Sequence, residues 1–526
     1  MASPKGGRAP LLACAVFEKG AAIAIVYTSR WAQVSQPAVA AAQRRVLAPR
    51  SAFRCLRAAY EGRDLSERTL MLDLIVRGGC AVLPGEGKVR ADVGIAGSRI
   101  VALGEQLADG AREIFDARGK VVLPGFVDPH VHLGNSLSFE EEAVTETRAA
   151  LLGGVTTVCV YLRRRDSYLE HLPAFQRAVE TRSYVDAAFH LQIFTEEQRR
   201  QIPQCAAEYG IRSFKLYMYG IPDLVQPVDD GFLLEAFRTI AGLGPDAVAC
   251  VHAENAALVE RARRRLAAEQ AEGTVADWER AHPAEAEALA IQTAGYLARL
   301  AGVHLHIVHL SSAEGLRIAR RLKRAGGGVT VETTSPYLGL SSDDPNGFLL
   351  KMVPPIRSPR HRAALWDGLR DGVIDLVGTD NTSRTRATKQ PEAGLHGARP
   401  GYAVLGTHLP ALLHFGYHER GIPLHVLADR ACRAPARAFG LYPQKGTISV
   451  GSDADLVVVD LEWEKVVRAV DLAGLSDFSP FEGKRLRGWP VATVKGGLIA
   501  ARDGMMGTMP ASGRYLARGT TRVRTA

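Results

Sequence analysis

Nowhere in its 526 residues does the chain carry the uncharged apolar run of about 18 residues that a membrane helix requires, which excludes an ordinary membrane span. Cysteine is sparse and unpaired in pattern. The seven (Cys14, Cys55, Cys80, Cys159, Cys205, Cys250, Cys432) are odd in number and form no CxxC motif. A disulfide framework is therefore not expected, and a reducing, cytoplasmic setting is. Excess charge is missing from the body as well. Of the formal +9, residues 1–70 supply a surplus of 7, with 11 Lys/Arg against 4 Asp/Glu, leaving +2 on the remainder. A nearly neutral body has no electrostatic footprint for nucleic acid. What is present is ample apolar material, 47 % of residues. At this length it predicts a large core in two domains, or a barrel with an accessory layer.

The first 70 residues are rich in Ala and Arg, poor in acids, and show no sustained helical or strand period. Two readings are open: a targeting peptide, since Arg-rich, acid-poor leaders do that work, or a stretch upstream of a true start at Met71. Glu18 and Lys19 interrupt the apolar stretch Leu11–Phe17 too early for a secretory signal. The abrupt onset of folded-protein patterning at Met71 favours the second reading. Residues 511–526, with several arginines, read as a basic disordered tail.

From Met71 short β-type runs (Met71–Arg77, Ala91–Ala96, Arg99–Leu103) are separated by glycine turns, and a matching set recurs at Ala454–Asp460 and Ala492–Ala500. This predicts a small β-sandwich domain built from both ends, residues 71–122 and 440–510. Between them, residues 123–439 alternate apolar runs with helical stretches such as Glu285–Leu300 and Glu314–Arg324. The runs are Lys120–His132, Val155–Leu162, Ala187–Phe194, Ser213–Tyr219, Ala247–His252, Val303–Leu310, Val329–Thr333 and Asp375–Gly378. Eight strands alternating with helices predict an α/β fold, a (β/α)₈ TIM barrel.

In such barrels the reacting groups gather where strands end. The first run ends Asp128-Pro-His130-Val-His132, the fourth carries Lys215, and the fifth ends His252-Ala-Glu-Asn255. The sixth reads His304-Leu-His306-Ile-Val-His309, and the eighth ends Gly378-Thr-Asp380-Asn381. Residues two apart on a strand share a face, so His130 and His132 both address one ion. Taken singly, each histidine reads as an ordinary hydrogen-bonded residue and Lys215 as half of a buried pair. Their coincidence at the ends of strands one, four, five, six and eight points instead to Zn²⁺ or a similar first-row metal. On the sixth strand, parity sets His304 and His306 towards the helices, and His309, sitting last, is the expected ligand.

From Met71 to Gly507 the chain resembles the amidohydrolase superfamily, in its dihydropyrimidinase and hydantoinase branch, with allantoinase and dihydroorotase nearby. The likeness rests on Pro124-Gly-Phe-Val-Asp-Pro-His-Val-His132, Val251-His-Ala-Glu-Asn255, Lys351-Met-Val-Pro-Pro-Ile-Arg357 and the return segment Ala434–Asp455. The resemblance implies two divalent metals, Zn²⁺ foremost, bridged by a carboxylated Lys215. His130, His132 and Asp380 would hold the first and His252 and His309 the second. It further implies Asp380 as proton carrier, Tyr219 as oxyanion donor, and Val353 and His396 as substrate contacts. The implied partners are a small cyclic amide and further copies of the chain, as a homodimer or homotetramer.

Some positions depart from the family pattern. Gly134 replaces the arginine that grips a carboxylate in dihydroorotases, and Gly220 occupies the usual tyrosine slot. Val353 replaces a serine, Leu395–Gly401 an asparagine-containing loop, and Asn381 a histidine. The expected activity is hydrolysis of a dihydropyrimidine, hydantoin or related cyclic ureide. An allantoinase or dihydroorotase-like amidase is the alternative, and a non-enzymatic scaffold relative is disfavoured because all six ligands remain.

Overall fold

Apolar β-runs and amphipathic stretches take turns from Phe126 onward, and the backbone follows them. The computed structural model describes residues 13–18, 21–26, 71–108, 110–221, 225–269 and 273–519. Seven parallel strands pair in chain order: Phe126–His132, Val155–Leu162, Asp186–Gln192, Ser213–Tyr217, Val248–His252, His304–Ile307 and Val329–Thr334. The eighth comes in two pieces. Leu376–Gly378 pairs with the seventh strand, and Asn381–Thr382 pairs back on Val131 and His132, closing the ring. The expected (β/α)₈ barrel is thus the observed one, with helices such as Phe139–Leu152 and Ala284–Ala301 outside it. The first of these is set by sequence: Ser138 and Glu141 form a reciprocal capping box at its start.

Both ends of the chain build the second layer. One sheet runs, in spatial order, 505–506, 498–502, 485–495, 456–466, 121–124, 80–83 and 87–90; the other runs 99–104, 92–96, 72–77 and 111–116. Between them lie Leu74, Val76, Val93, Ile95, Val122, Leu456, Val458 and Val494, all buried. The two halves of the domain meet where Val121–Pro124 pairs antiparallel with Leu456–Val459. The run expected as one strand over Lys120–His132 is therefore two, parted at Gly125. A Cβ there would lie 2.2 Å from Thr156 Oγ1, so only glycine lets the chain cross between layers.

Two expectations need correction. Residues 511–519 are not a disordered tail. Leu516 N–H donates to Ala187 O at 2.8 Å, and Arg518, buried, donates to Ser213 Oγ at 2.7 Å. The segment straps the strand ends opposite the site described below; residues 520–526 lie outside the described residues. In the first 70 residues, read as lacking a strand period, Ala13–Glu18 and Ala21–Val26 pair as an antiparallel hairpin. The rest of that stretch, and with it the choice between leader and upstream start, lies outside the described residues. Among the described residues no helix is long and apolar enough to cross a membrane.

Candidate metal centre

Inward-facing side chains at the C-terminal ends of the barrel strands converge on one point. Asp380 Oδ1 lies 3.2 Å from both His130 Nε2 and His132 Nε2. Lys215 Nζ is 2.9 Å from His130 Nε2. His252 Nδ1 and His309 Nε2 are 3.0 Å apart, and the His130 and His309 rings stack with centroids at 5.4 Å. All six side chains expected as ligands are therefore brought together.

Local backbone explains how. His309 and Asp380 both adopt left-handed conformations, with φ of +39° and +55°. Non-glycine residues do so rarely, and such strain concentrates at functional sites. The turn at Asp380 breaks the eighth strand and aims its carboxylate at the first. Asp128 staples that break, its carboxylate accepting from Thr379 Oγ1 at 2.5 Å, Thr379 N at 3.1 Å and His130 N at 3.1 Å. Burial raises the Asp128 carboxyl to about 7.

The turn at His309 also corrects the parity argument for the sixth strand. His304 and His306 do not face the helices. His306 sits inside the barrel, 2.9 Å from Thr330 Oγ1 and 3.3 Å from Glu332 Oε2. His309 faces inward too, because the left-handed residue resets the alternation.

A second ring of groups orients the first. Glu332, which sequence reasoning missed, is fully buried, with Oε1 2.6 Å from His130 Nδ1. Glu254 lies 2.8 Å from His252 Nε2 and from His282 Nδ1. Each carboxylate occupies the outer nitrogen of an imidazole and leaves the inner one for an ion, the arrangement typical of metal-bound histidine. An acid at an inward position of the apolar run Val329–Thr334 was the available signal for Glu332.

The electrostatics suit a cation. Burial, helped by neighbouring positive groups, holds His130 and His309 well below the ordinary histidine value and lowers His132, so these rings are neutral donors. Burial brings Lys215 down to about 8 despite Asp380 and Glu332, so about a tenth is free amine at pH 7. Burial alone would raise Glu254, but the His282 and His252 imidazoles hold it below the usual range. His309 Nδ1 is buried with no partner among the described residues. Neutral imidazoles, a carboxylate and an amine crowded at 2.9–3.2 Å form a donor set that fits divalent metal.

The remaining expected contacts separate. Val353 is buried and walls the cleft above the donors. Tyr219 does not reach it. Its hydroxyl accepts from Arg263 Nη1 at 3.4 Å, and its ring packs edge-on against His282 in a neighbouring groove. Tyr217 lies at the cleft instead: it ends the strand Ser213–Tyr217 on the face of Lys215, whereas Tyr219, of the same parity, falls past the strand's end. The Tyr217 ring lies 5.0 Å from Lys215 Nζ and 5.4 Å from the His252 ring. His396 is exposed in the outer groove beside Arg263 and Trp278, away from the donors. Asn381 turns away from them as well, donating to Glu146 Oε2 at 3.0 Å and accepting from Val404 N at 2.7 Å. Gly134, at φ +78°, opens a loop whose amides donate to Glu142, a conformation an arginine would strain.

Known proteins resemble this chain over most of its length. The model of the amidohydrolase family matches residues 230–499, and a dihydro-orotase-like model matches residues 119–315. The chain is similar to an L-hydantoinase from Paenarthrobacter aurescens, at 31 % identity over 85 % of this chain and 98 % of that one. It is also similar to an allantoinase from Rubrobacter xylanophilus, at 35 % identity over 84 % and 97 %. Among solved structures, the L-hydantoinase (dihydropyrimidinase) from Arthrobacter aurescens superposes with a TM-score of 0.79 at 29 % identity, covering 85 % of this chain and 100 % of that one.

Proposed function

The chain belongs to the amidohydrolase family, and from that premise we propose that it opens the ring C–N bond of a cyclic ureide, a hydantoin or dihydropyrimidine, at a two-metal centre. Metal-dependent hydrolysis of a cyclic amide is the activity its relatives share. The convergence of six donors from five strands carries the proposal.

His130, His132 and Asp380 would hold one metal, and His252 and His309 the other, Zn²⁺ suiting imidazole and carboxylate donors. Lys215 stands between the two groups. As a free amine it would add to CO₂, forming an N–C bond and releasing a proton, and the resulting carbamate would face both. What two such cations supply is Lewis acidity, polarising an amide carbonyl and making a water acidic near neutral pH.

The protein's own groups do the rest. Asp380 sets Oδ1 3.2 Å from the two imidazoles, and Oδ2 is the oxygen left to carry a proton. Oδ2 takes the proton of the attacking water and delivers it to the ring nitrogen as the C–N bond breaks. Tyr217, at the cleft wall, is the phenol placed to donate to the developing oxyanion. Val353 and Met352 shield the ring from water. Cytoplasmic residence and assembly as a homodimer or homotetramer belong to the same reading. Leu289, Tyr296 and Leu300, exposed on the helix Ala284–Ala301, give that assembly an apolar face.

The test is hydrolysis of dihydrouracil, hydantoin, 5-phenylhydantoin, allantoin and dihydroorotate by protein loaded with Zn²⁺ or Mn²⁺ in bicarbonate, with Lys215→Ala as control. Opening of a hydantoin or dihydropyrimidine, lost in the control, is expected. Turnover of allantoin or dihydroorotate alone would keep the chemistry and change the substrate. No turnover together with no bound metal would overturn the reading.

A further inference from the structure

The cleft above the metal donors is lined by two unlike sets of side chains. Met352, Val353, Ile221 and Val225 are apolar. Two arginines absent from the mechanism line the same cleft, Arg163 immediately after the second barrel strand and Arg384 just past the eighth. Those strands flank the first on either side, so both arginines rise from the part of the rim that carries His132 and Asp380.

Neither arginine is neutralised. Arg384 is 2 % exposed, and its side chain donates from Nε to a carbonyl, Pro400 O, at 2.6 Å. Arg163 donates from Nη2 to the amide oxygen of Asn135 at 2.8 Å. Among the described residues neither makes an ion pair. Burial, with Arg399 and Arg163 close by, depresses the Arg384 guanidinium to about 10. A buried cation facing a second cation is costly to keep unless something negative completes it. Among the described residues lining the cleft the one carboxylate is Asp380, which lies 3.2 Å from two imidazoles. Planar guanidinium forks match a carboxylate better than a point charge does.

We propose that the substrate carries a carboxylate, held between Arg163 and Arg384 while its amide ring lies over the metal donors and its apolar edge meets Met352 and Val353. The proposal rests on the cyclic-amidase reading and narrows it to an anionic cyclic ureide. It also gives Gly134 a different meaning, because cationic recognition is supplied from the two neighbouring strands instead of the loop after the first.

Its test is equilibrium binding, which is read independently of turnover. 2-Oxoimidazolidine-4-acetic acid and its methyl ester, cyclic ureas without the scissile ring carbonyl, are titrated calorimetrically into metal-loaded wild type, R163Q, R384Q and R384K, with hydantoin-5-acetic acid and its methyl ester kept for turnover. R163Q alters a half-buried side chain with one amide partner, and R384K preserves the charge should R384Q fail to fold. The acid is expected to bind wild type at least tenfold more tightly than the ester. That ratio should fall towards one in R163Q and R384Q and be partly kept in R384K. Equal binding of acid and ester by wild type, no binding of either at millimolar concentration, or an unchanged ratio in R163Q would overturn the proposal. Failure of the metal-loaded protein to open either hydantoin, with the binding ratio as expected, would count against the hydrolase reading alone.

Discussion

Glu332 touches no ion, yet it decides which nitrogen His130 has to give. With Oε1 2.6 Å from Nδ1, it leaves Nε2 as the free donor. Glu332→Gln keeps the shape and removes the ionisable carboxyl, and a metal titration should show affinity weakened by about 10–100-fold. The two tyrosines of the fourth strand make a second residue-scale prediction. Tyr217→Phe should lower kcat by about 10²–10³-fold if the phenol stabilises the oxyanion, whereas Tyr219→Phe, whose hydroxyl faces Arg263, should leave kcat within about threefold. Steady-state kinetics on one substrate separates them, and the reverse ranking would return the role to Tyr219. Sequence spacing made Tyr219 the natural choice because it lies nearer the family's usual position. The two share parity, and only the end of the strand at Tyr217 and the lining of the cleft show that Tyr217 is the one turned inward.

At the scale of elements, apolar periodicity located all eight barrel strands, because buried parallel strands read as continuous apolar runs. Periodicity failed where a backbone torsion interrupted it. At His309 a left-handed residue reset the alternation, so His306 and His309 both point inward although three residues apart. No pattern of residue types announces such a torsion. The C-terminal segment escaped notice for another reason: Arg518 is buried against the Phe189 carbonyl and Arg514 pairs with Asp186 and Asp453, which composition alone cannot foretell. Removing residues 513–526 should therefore destabilise the barrel, exposing the Ser213 and Phe189 groups that Arg518 satisfies. A fall of several degrees in the thermal midpoint is expected, and an unchanged midpoint would mean the strap is dispensable. The turn re-entering the sandwich offers a sharper case. Gly446 sits at φ +78°, where an added Cβ would lie 2.4 Å from Cys432 O. Gly446→Ala should cost about 2 kcal/mol, read from denaturant unfolding.

Across the whole molecule, one buried ion cluster ties the parts together. Lys445 Nζ lies 2.5 Å from Asp186 of the barrel, 3.0 Å from Asp453 and 2.5 Å from Asp455. Lys495 and Arg514 close on Asp186 at 2.8 and 2.5 Å, and Arg99 reaches Asp453 at 2.7 Å. The three carboxylates alone resemble a metal site, but four cations already answer them. Lys445→Met would strand buried carboxylates and should cost about 3–5 kcal/mol. Burial would raise Asp186 and Asp453, but Lys445 and its neighbours hold both below the usual range. Their contribution is therefore complete above the unfolded value of about 3.9 and is lost as pH falls through the lower folded values. Wild type should hold its thermal midpoint down to about pH 4, while Lys445→Met should begin to lose it at higher pH. Melting curves between pH 3 and 7 check this, and parallel curves would show the cluster to be energetically idle.

The sandwich domain is finished only when Leu456–Val459 reaches Val121–Pro124. On a ribosome adding about 5–20 residues per second, the early strands wait on the order of tens of seconds for the late ones. Throughout that interval the whole barrel can emerge and close while Val121–Pro124 keeps an unpaired, apolar edge. The nascent chain thus exposes a sticky strand for most of its synthesis, and its yield in a cell will depend on chaperone supply more than the stability of the finished fold would suggest.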